Sequence, residues 1–439
     1  MTVVVIQGYV VTLNTAMAIL LRRHWEPDLA SGLPRRDRQG CDYDAYLPDR
    51  LSGRPITLDG AVAADIADAE AAITRMNVEA VALSDSEGLA RLLLRAEAVA
   101  SSRIEGLEAG GRRLLHAEAA RALGGEPSDV TAEEVLGNIN AMTWAVDFVA
   151  AAGEITVGHL LEMHRRLLEG TRFANHGGRI REEQNWIGGS RFNPCGAAFV
   201  PPPPENVEAL LEDLCDFCDQ DSLPAIAQAA IAHAQFETIH PFVDGNGRTG
   251  RALIHVILRR RGLAARVLPP VSLVLATWAD EYVSALSGTR YTGDVSSPAA
   301  QEGLNRWVAL FASASSRAVI DARTYEEQIG ALQQKWRERL GTVRRGSATE
   351  LLLAAAPSAP IVTVNSAAEL IGRTFEATNV AVARLVKADI LRPIRLGRRN
   401  RAFEATELID LFTDLERRLA SPGGDTRTSA PVRPAPRRR

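Results

Sequence analysis

Between Ala225 and Arg261 the chain reads as two helices that cannot merge into one. The segment that separates them is His240-Pro-Phe-Val-Asp-Gly-Asn-Gly-Arg-Thr-Gly-Arg251. Apolar residues recur at helical spacing from Ala225 to Ile239 and again from Thr249 to Arg261. Pro241 lacks a backbone donor, and Gly245 and Gly247 favour turn conformations, so the helical pattern stops and restarts across them. Whatever fold this chain takes must hold a tight, glycine-lined turn between two apolar helices.

The residues of that turn suit a nucleotide phosphate. Gly245 and Gly247 let successive backbone N–H groups point into one concavity. The helix that starts near Arg248 adds the positive end of its dipole. Arg248 and Arg251, three positions apart, can face one side of that helix and grip phosphate oxygens. Asp244 offers a hard oxygen for Mg²⁺, and His240 can accept a proton near neutral pH. Asp-Gly-Asn-Gly alone would be an ordinary turn; base, metal ligand, anion nest and two arginines within twelve positions point to chemistry.

The rest of the chain sets limits. A length of 439 residues calls for two or three domains, and a net charge of −4 gives no global reason to expect nucleic-acid binding. Cys41, Cys195, Cys215 and Cys218 are too sparse for a disulfide scaffold, which fits a reducing cytoplasm. Cys215 and Cys218 form a CxxC inside an amphipathic helical pattern with no second ligand pair, so they read as packing rather than zinc ligands. Residues 1–21 carry no charge but are interrupted by Gln7, Gly8 and Asn14, so no membrane anchor is expected.

The coarse division has an irregular segment over 1–40 and a helical N-terminal domain over 41–130, then a helical core over 131–295 and a helical connector over 296–345. Within the core, 177–204 carries Gly and Pro turn signals and reads as a short hairpin followed by a rigid proline run. Over 346–420, helices at Ala348–Ala355, Ser366–Ile371 and Ala377–Ala388 precede strands at Ile390–Leu396 and Arg401–Phe403, a winged helix-turn-helix pattern. Residues 421–439 read as a disordered basic tail.

HPFVDGNGRTGR matches the Fic family signature, HPFx(D/E)GNGRxxR, at every defined position. AIAHAQFETIHPF and ITVGHLLEMHRRLLEG resemble helices of that family, and GRIREEQNWIGG with FVPPPP resembles its hairpin flap. The similarity covers roughly 45–290. It implies an all-α fold with one β-hairpin and a protein adenylyltransferase that uses ATP and Mg²⁺ on a Ser, Thr or Tyr of a protein substrate. By that resemblance His240 would be the base and Asp244 the metal ligand. Gly245, Asn246, Gly247 and Arg248 would hold the α- and β-phosphates, and Arg251 the γ-phosphate. Ile180, Arg181, Trp186 and Ile187 would belong to the flap that clamps the target as an added strand. Ser101-Ser-Arg-Ile-Glu105-Gly106 resembles the family's inhibitory motif (S/T)xxxE(G/N); Ser101 and Glu105, i,i+4 on one helix, would share a face, and Glu105 would occupy Arg251. Removal of AMP, transfer of another group, and a transcriptional role with DNA held by 346–420 stay open as alternatives, as does a homodimer.

Overall fold

The computed structural model describes residues 2–6, 9–13, 17–27, 32–80, 86–122, 129–396 and 400–420. The chain divides into two compact units, each assembled from separated stretches of sequence.

The first unit comprises Met1–Asp68, Trp144–Arg261 and Asp280–Ser313. Its axis is the helix Ala225–Ile239, buried at every position. The alanines at 225, 227, 229, 230, 232 and 234 keep this helix thin, so its neighbours Pro204–Cys218 and Asn246–Arg260 approach closely. The approach is close at Gly250, where a Cβ would stand 2.9 Å from Cδ1 of Phe236. The Trp307 indole donates to the Ala230 carbonyl at 2.8 Å, which fixes the axis from another side. Cys215 and Cys218 are buried on the Pro204–Cys218 helix, as packing residues would be.

Two expectations fail in this unit. The segment read as irregular over 1–40 contains the strand Met17–Trp25, which pairs antiparallel with Cys41–Leu47 from Ile19↔Leu47 to Trp25↔Cys41 and with Gly293–Asp294 at its start. Residues 2–6 and 9–13 pair as a further antiparallel ribbon. The polar stretch between the long strands hides their pairing from any local pattern, because a strand is stabilised by a partner that periodicity does not reveal. The cysteines differ as well: Cys41 and Cys195, 154 positions apart, form a disulfide.

The second unit comprises Ala69–Thr143, Gly262–Ala279 and Ala314–Arg439. Helix Ser86–Ile104 is tied to Val130–Trp144 by Asn138, whose Nδ2 donates to the Ala98 carbonyl at 2.8 Å and to Ser102 Oγ at 3.1 Å. Buried Glu97 accepts from the Ser272 backbone N–H at 2.7 Å and from the Ser272 hydroxyl, which caps the helix Val271–Thr277. Toward the C-terminus, helices Ala348–Ala355, Val364–Ile371 and Phe375–Lys387 carry Ser347, Thr363 and Thr374 as N-caps. Strands Ile361–Val362, Asn400–Glu404 and Arg392–Leu396 form one antiparallel sheet in that order. This arrangement is consistent with a winged helix, with a short extra strand and a closing helix, Thr406–Ala420, beyond the expected elements. The tail over 421–439, read from the sequence as disordered, lies outside the described residues, as do residues 397–399 between the two longer strands.

Candidate active site at the interhelical loop

Helix Ala225–Ile239 ends at His240, which takes a left-handed conformation (φ 49°) while its N–H still bonds the Phe236 carbonyl at 2.9 Å. A histidine at positive φ is uncommon and costs backbone energy, so the surrounding loop must impose it. The ring is partly exposed, and its Nδ1 lies 3.9 Å from Oε2 of Glu237.

Asn246 opens the next helix and closes the loop on itself. Its Oδ1 accepts from the Phe242 N–H and its Nδ2 donates to the Phe242 carbonyl, both at 2.8 Å. The side chain expected on a phosphate is therefore engaged in shaping the loop. Gly245 precedes it at φ 78°, the left-handed region that favours glycine, and a Cβ there would press on Cδ2 of Leu167 at 2.8 Å. The first turn of the helix, Asn246 to Thr249, is buried, and its N–H groups lie at the positive end of a fifteen-residue helix.

Asp244 is half-exposed, and its Oδ2 accepts from Arg248 Nη2 at 2.8 Å. Arg248 and Arg251 are buried at 3% and 1% exposure, depths at which guanidinium groups need anionic or carbonyl partners. His240, Asp244, Gly245, Asn246, Gly247, Arg248 and Arg251 thus all sit on one loop and the first turn and a half of one helix. Among the described residues, no group of three or more His, Cys, Asp or Glu converges as a metal cage. A single hard carboxylate still suits Mg²⁺, which keeps water and takes phosphate oxygens for the rest of its shell.

No sequence motif placed His164 in this site, yet the fold brings it there. His164 Nδ1 accepts from the Gly178 N–H at 3.1 Å, so Nε2 carries the proton and donates to the Asp244 carbonyl at 3.0 Å. Its ring stacks on Phe242 at 3.7 Å and 6°. Burial pushes His164 down to about 4, which keeps it neutral in this role. His233 is fully buried, bonded to the Tyr282 hydroxyl at 2.9 Å, and pushed down to about 3 by burial and then by the charge of Arg251. Helical spacing marks both histidines as inward-facing, but only the fold reveals their partners.

The flap residues divide. Ile180 and Trp186 are partly buried and Ile187 is exposed. Arg181 is 3% exposed: its guanidinium donates to the carbonyls of His240 at 2.9 Å and Pro202 at 2.5 Å, and its backbone N–H donates to Pro241. It braces the loop from behind rather than facing a target. The expected hairpin is an open loop closed by one bridge, Ile187↔Phe199, because Gly188, Gly189 and Gly196 at positive φ leave too few consecutive residues to pair.

In the second unit, Ser101 is buried in the last turn of Ser86–Ile104, but Glu105 lies just past the helix, in a turn closed by Gly106 at φ 81°. The expectation that both residues ride on one helix is corrected accordingly. Glycine in the left-handed region stops the helix one residue before the glutamate.

Residues 154–258 match the Fic/DOC family model and residues 63–147 match the Fic/DOC family N-terminal model. Protein adenylyltransferase fic-1 of Caenorhabditis elegans is 40% identical over 134 residues, 30% of this chain and 23% of that protein. Protein adenylyltransferase Fic of Drosophila willistoni is 35% identical over 139 residues, 31% of this chain and 26% of that protein. The match therefore spans about a quarter of the length of these curated relatives. A crystal structure of a Fic family protein from Desulfovibrio desulfuricans G20 superposes with a TM-score of 0.50 at 20% identity, covering 80% of this chain and 97% of that one, a likeness of fold.

Proposed function

From a chain that carries a Fic domain over 154–258 and the family's N-terminal domain over 63–147, we propose a protein adenylyltransferase that moves AMP from ATP to a protein hydroxyl. The observation that carries this reading is the convergence of His240, Asp244, the N–H groups of the Asn246 helix, Arg248 and Arg251 on one rigid loop.

The chain's own residues define the steps. The first-turn amides and Arg248 hold the α- and β-phosphates, and Arg251 takes the γ-phosphate. Magnesium, held by Asp244, would neutralise phosphate charge when bound. His240 removes the proton of the target hydroxyl through Nε2, and the Glu237 carboxylate at 3.9 Å stabilises the imidazolium that forms. The hydroxyl oxygen bonds to the α-phosphorus, the bond from that phosphorus to the bridging oxygen breaks, and pyrophosphate leaves with the electron pair. Positioning and fixed charge supply most of the acceleration in such transfers.

Glu105 is the proposed brake. A carboxylate bound to Arg251 would deny the γ-phosphate its partner, and such a pair is worth about 1–3 kcal/mol, enough to hold most molecules off yet leave them switchable. The proposal is tested by incubating purified protein with labelled ATP and Mg²⁺. Glu105→Gly should raise self-labelling, and His240→Ala should lower it by about 10²–10⁴-fold or more in either background. Unchanged labelling in Glu105→Gly would remove the brake, and full labelling in His240→Ala would remove the assigned base.

A further inference from the structure

The flap, residues 186–199, is the part of the proposed site least able to hold itself. It contains one bridge pair and three glycines at positive φ, and it exposes Ile187 and, at 48%, Phe192. A ribbon of that kind is unstable alone. Part of its position must come from elsewhere: Arg290 lies over the Phe199 ring at 3.6 Å, Asn185 just before it donates to the His240 and Phe242 carbonyls, and the other contacts lead to the strand Met17–Trp25 and residues 32–47.

Four independent interactions join the two. Trp25 packs edge-on against Trp186 with ring centroids 5.3 Å apart, while the Trp186 indole donates to the Ser190 carbonyl at 2.6 Å within the flap. Asp37, 9% exposed, accepts from the Ser190 hydroxyl at 2.8 Å, and its own carbonyl accepts from Asn193 Nδ2 at 3.0 Å. Cys41 is bonded to Cys195. At the flap exit, the Tyr46 N–H donates to the Val200 carbonyl at 2.9 Å, which continues the strand pairing of Cys41–Leu47 onto the flap's own chain. Asn193 is fully buried and Ser190 partly so, so these are built contacts rather than surface chance.

We propose that the strand Met17–Trp25 and residues 32–47 form a strap that holds the flap in register for its protein target, with Trp25 and Asp37 as positioning residues and Cys41–Cys195 as the anchor. The inference rests on the adenylyltransferase reading for its purpose and on the contacts alone for its mechanics. A flap that clamps a target as an added strand must present its backbone at a fixed height, because main-chain hydrogen bonds fail when misplaced by a fraction of their length. None of the four interactions just named involves a residue of the loop His240–Arg251, so loosening the strap should weaken capture of the acceptor and leave ATP binding intact.

The experiment uses the full chain in a Glu105→Gly background, with the His240→Ala chain as protein acceptor. Asp37→Ala, Asp37→Asn, and the native protein reduced with a phosphine are compared. Trypsin cleavage after Arg191, which is exposed in the flap, should run about ten-fold faster in Asp37→Ala and after reduction, since cleavage follows the population of the open form. The KM for the acceptor chain should rise by a similar factor with little change in kcat. ATP affinity measured by calorimetry should stay constant. Asp37→Asn keeps an acceptor oxygen for Ser190 and should restore both readouts. Unchanged cleavage at Arg191 in both loosened forms, or ATP affinity that falls in step with the acceptor KM, would overturn the strap. If the unaltered background transfers no AMP at all, the functional reading fails, and the cleavage rates still decide whether the strap holds the flap.

Discussion

His164→Ala should damage the chain twice, in stability and in catalysis. The ring stacks on Phe242 at 3.7 Å, an arrangement worth about 0.5–1.5 kcal/mol beyond burial. It also satisfies the Gly178 N–H and the Asp244 carbonyl, and each neutral hydrogen bond contributes about 0.5–1.5 kcal/mol. The fully buried ring leaves a cavity when truncated, so the total loss should be about 3–5 kcal/mol. The lost bond to Asp244 frees the residue proposed to hold Mg²⁺, so AMP incorporation in the Glu105→Gly background should fall more than the folded fraction does. Urea unfolding and labelled-ATP incorporation, both at pH 7.5, measure the two effects. His164→Gln retains a donor and an acceptor and should lie between. A loss below about 1 kcal/mol would refute the energetic reasoning. A full loss of stability with unchanged specific activity in the remaining folded protein would refute the positioning of Asp244.

Two further outcomes follow from the same loop. His164 and His233 are held below their ordinary 6.5, down to about 4 and about 3, by burial first. Between pH 6.5 and about 4 the unfolded chain takes up protons that the folded chain refuses, so their contribution is complete above 6.5 and is lost as pH falls. The slope approaches about 1.4 kcal/mol per pH unit for each histidine, so urea midpoints should drop clearly from pH 7.5 to pH 5.5. Equal drops in the wild-type chain and in His233→Asn would show that His233 contributes nothing. Gly245→Ala forces a side chain into the left-handed region at φ 78° and onto Leu167 at 2.8 Å. It should cost about 1–3 kcal/mol in unfolding experiments and at least ten-fold in AMP incorporation, whereas near-native values for both would mean the loop shifts freely.

The catalytic loop could be read in advance because its constraints are local. Proline and two glycines forbid a continuous helix, and His240, Asp244, Arg248 and Arg251 fall within reach of one another by chain distance alone. The helices on either side were legible for the same reason, since helical periodicity is written in neighbours three and four apart. The C-terminal helices and hairpin likewise announced themselves through caps and a turn. Ser101 and Glu105 had the right spacing, but Gly106 ended the helix at Ile104, a detail of backbone conformation that spacing does not carry. Asn246 and Arg181 were assigned by type, and the structure gave both to the loop's own carbonyls and amides. His164 could be placed on an inner face but not against Asp244, 80 positions away. The strand Met17–Trp25, its partner beyond a polar stretch, and the Cys41–Cys195 bond across 154 positions were decided only by folding. A sequence fixes what each residue can do within a few turns of its own chain. Which distant donor meets which acceptor depends on the packing that brings them together.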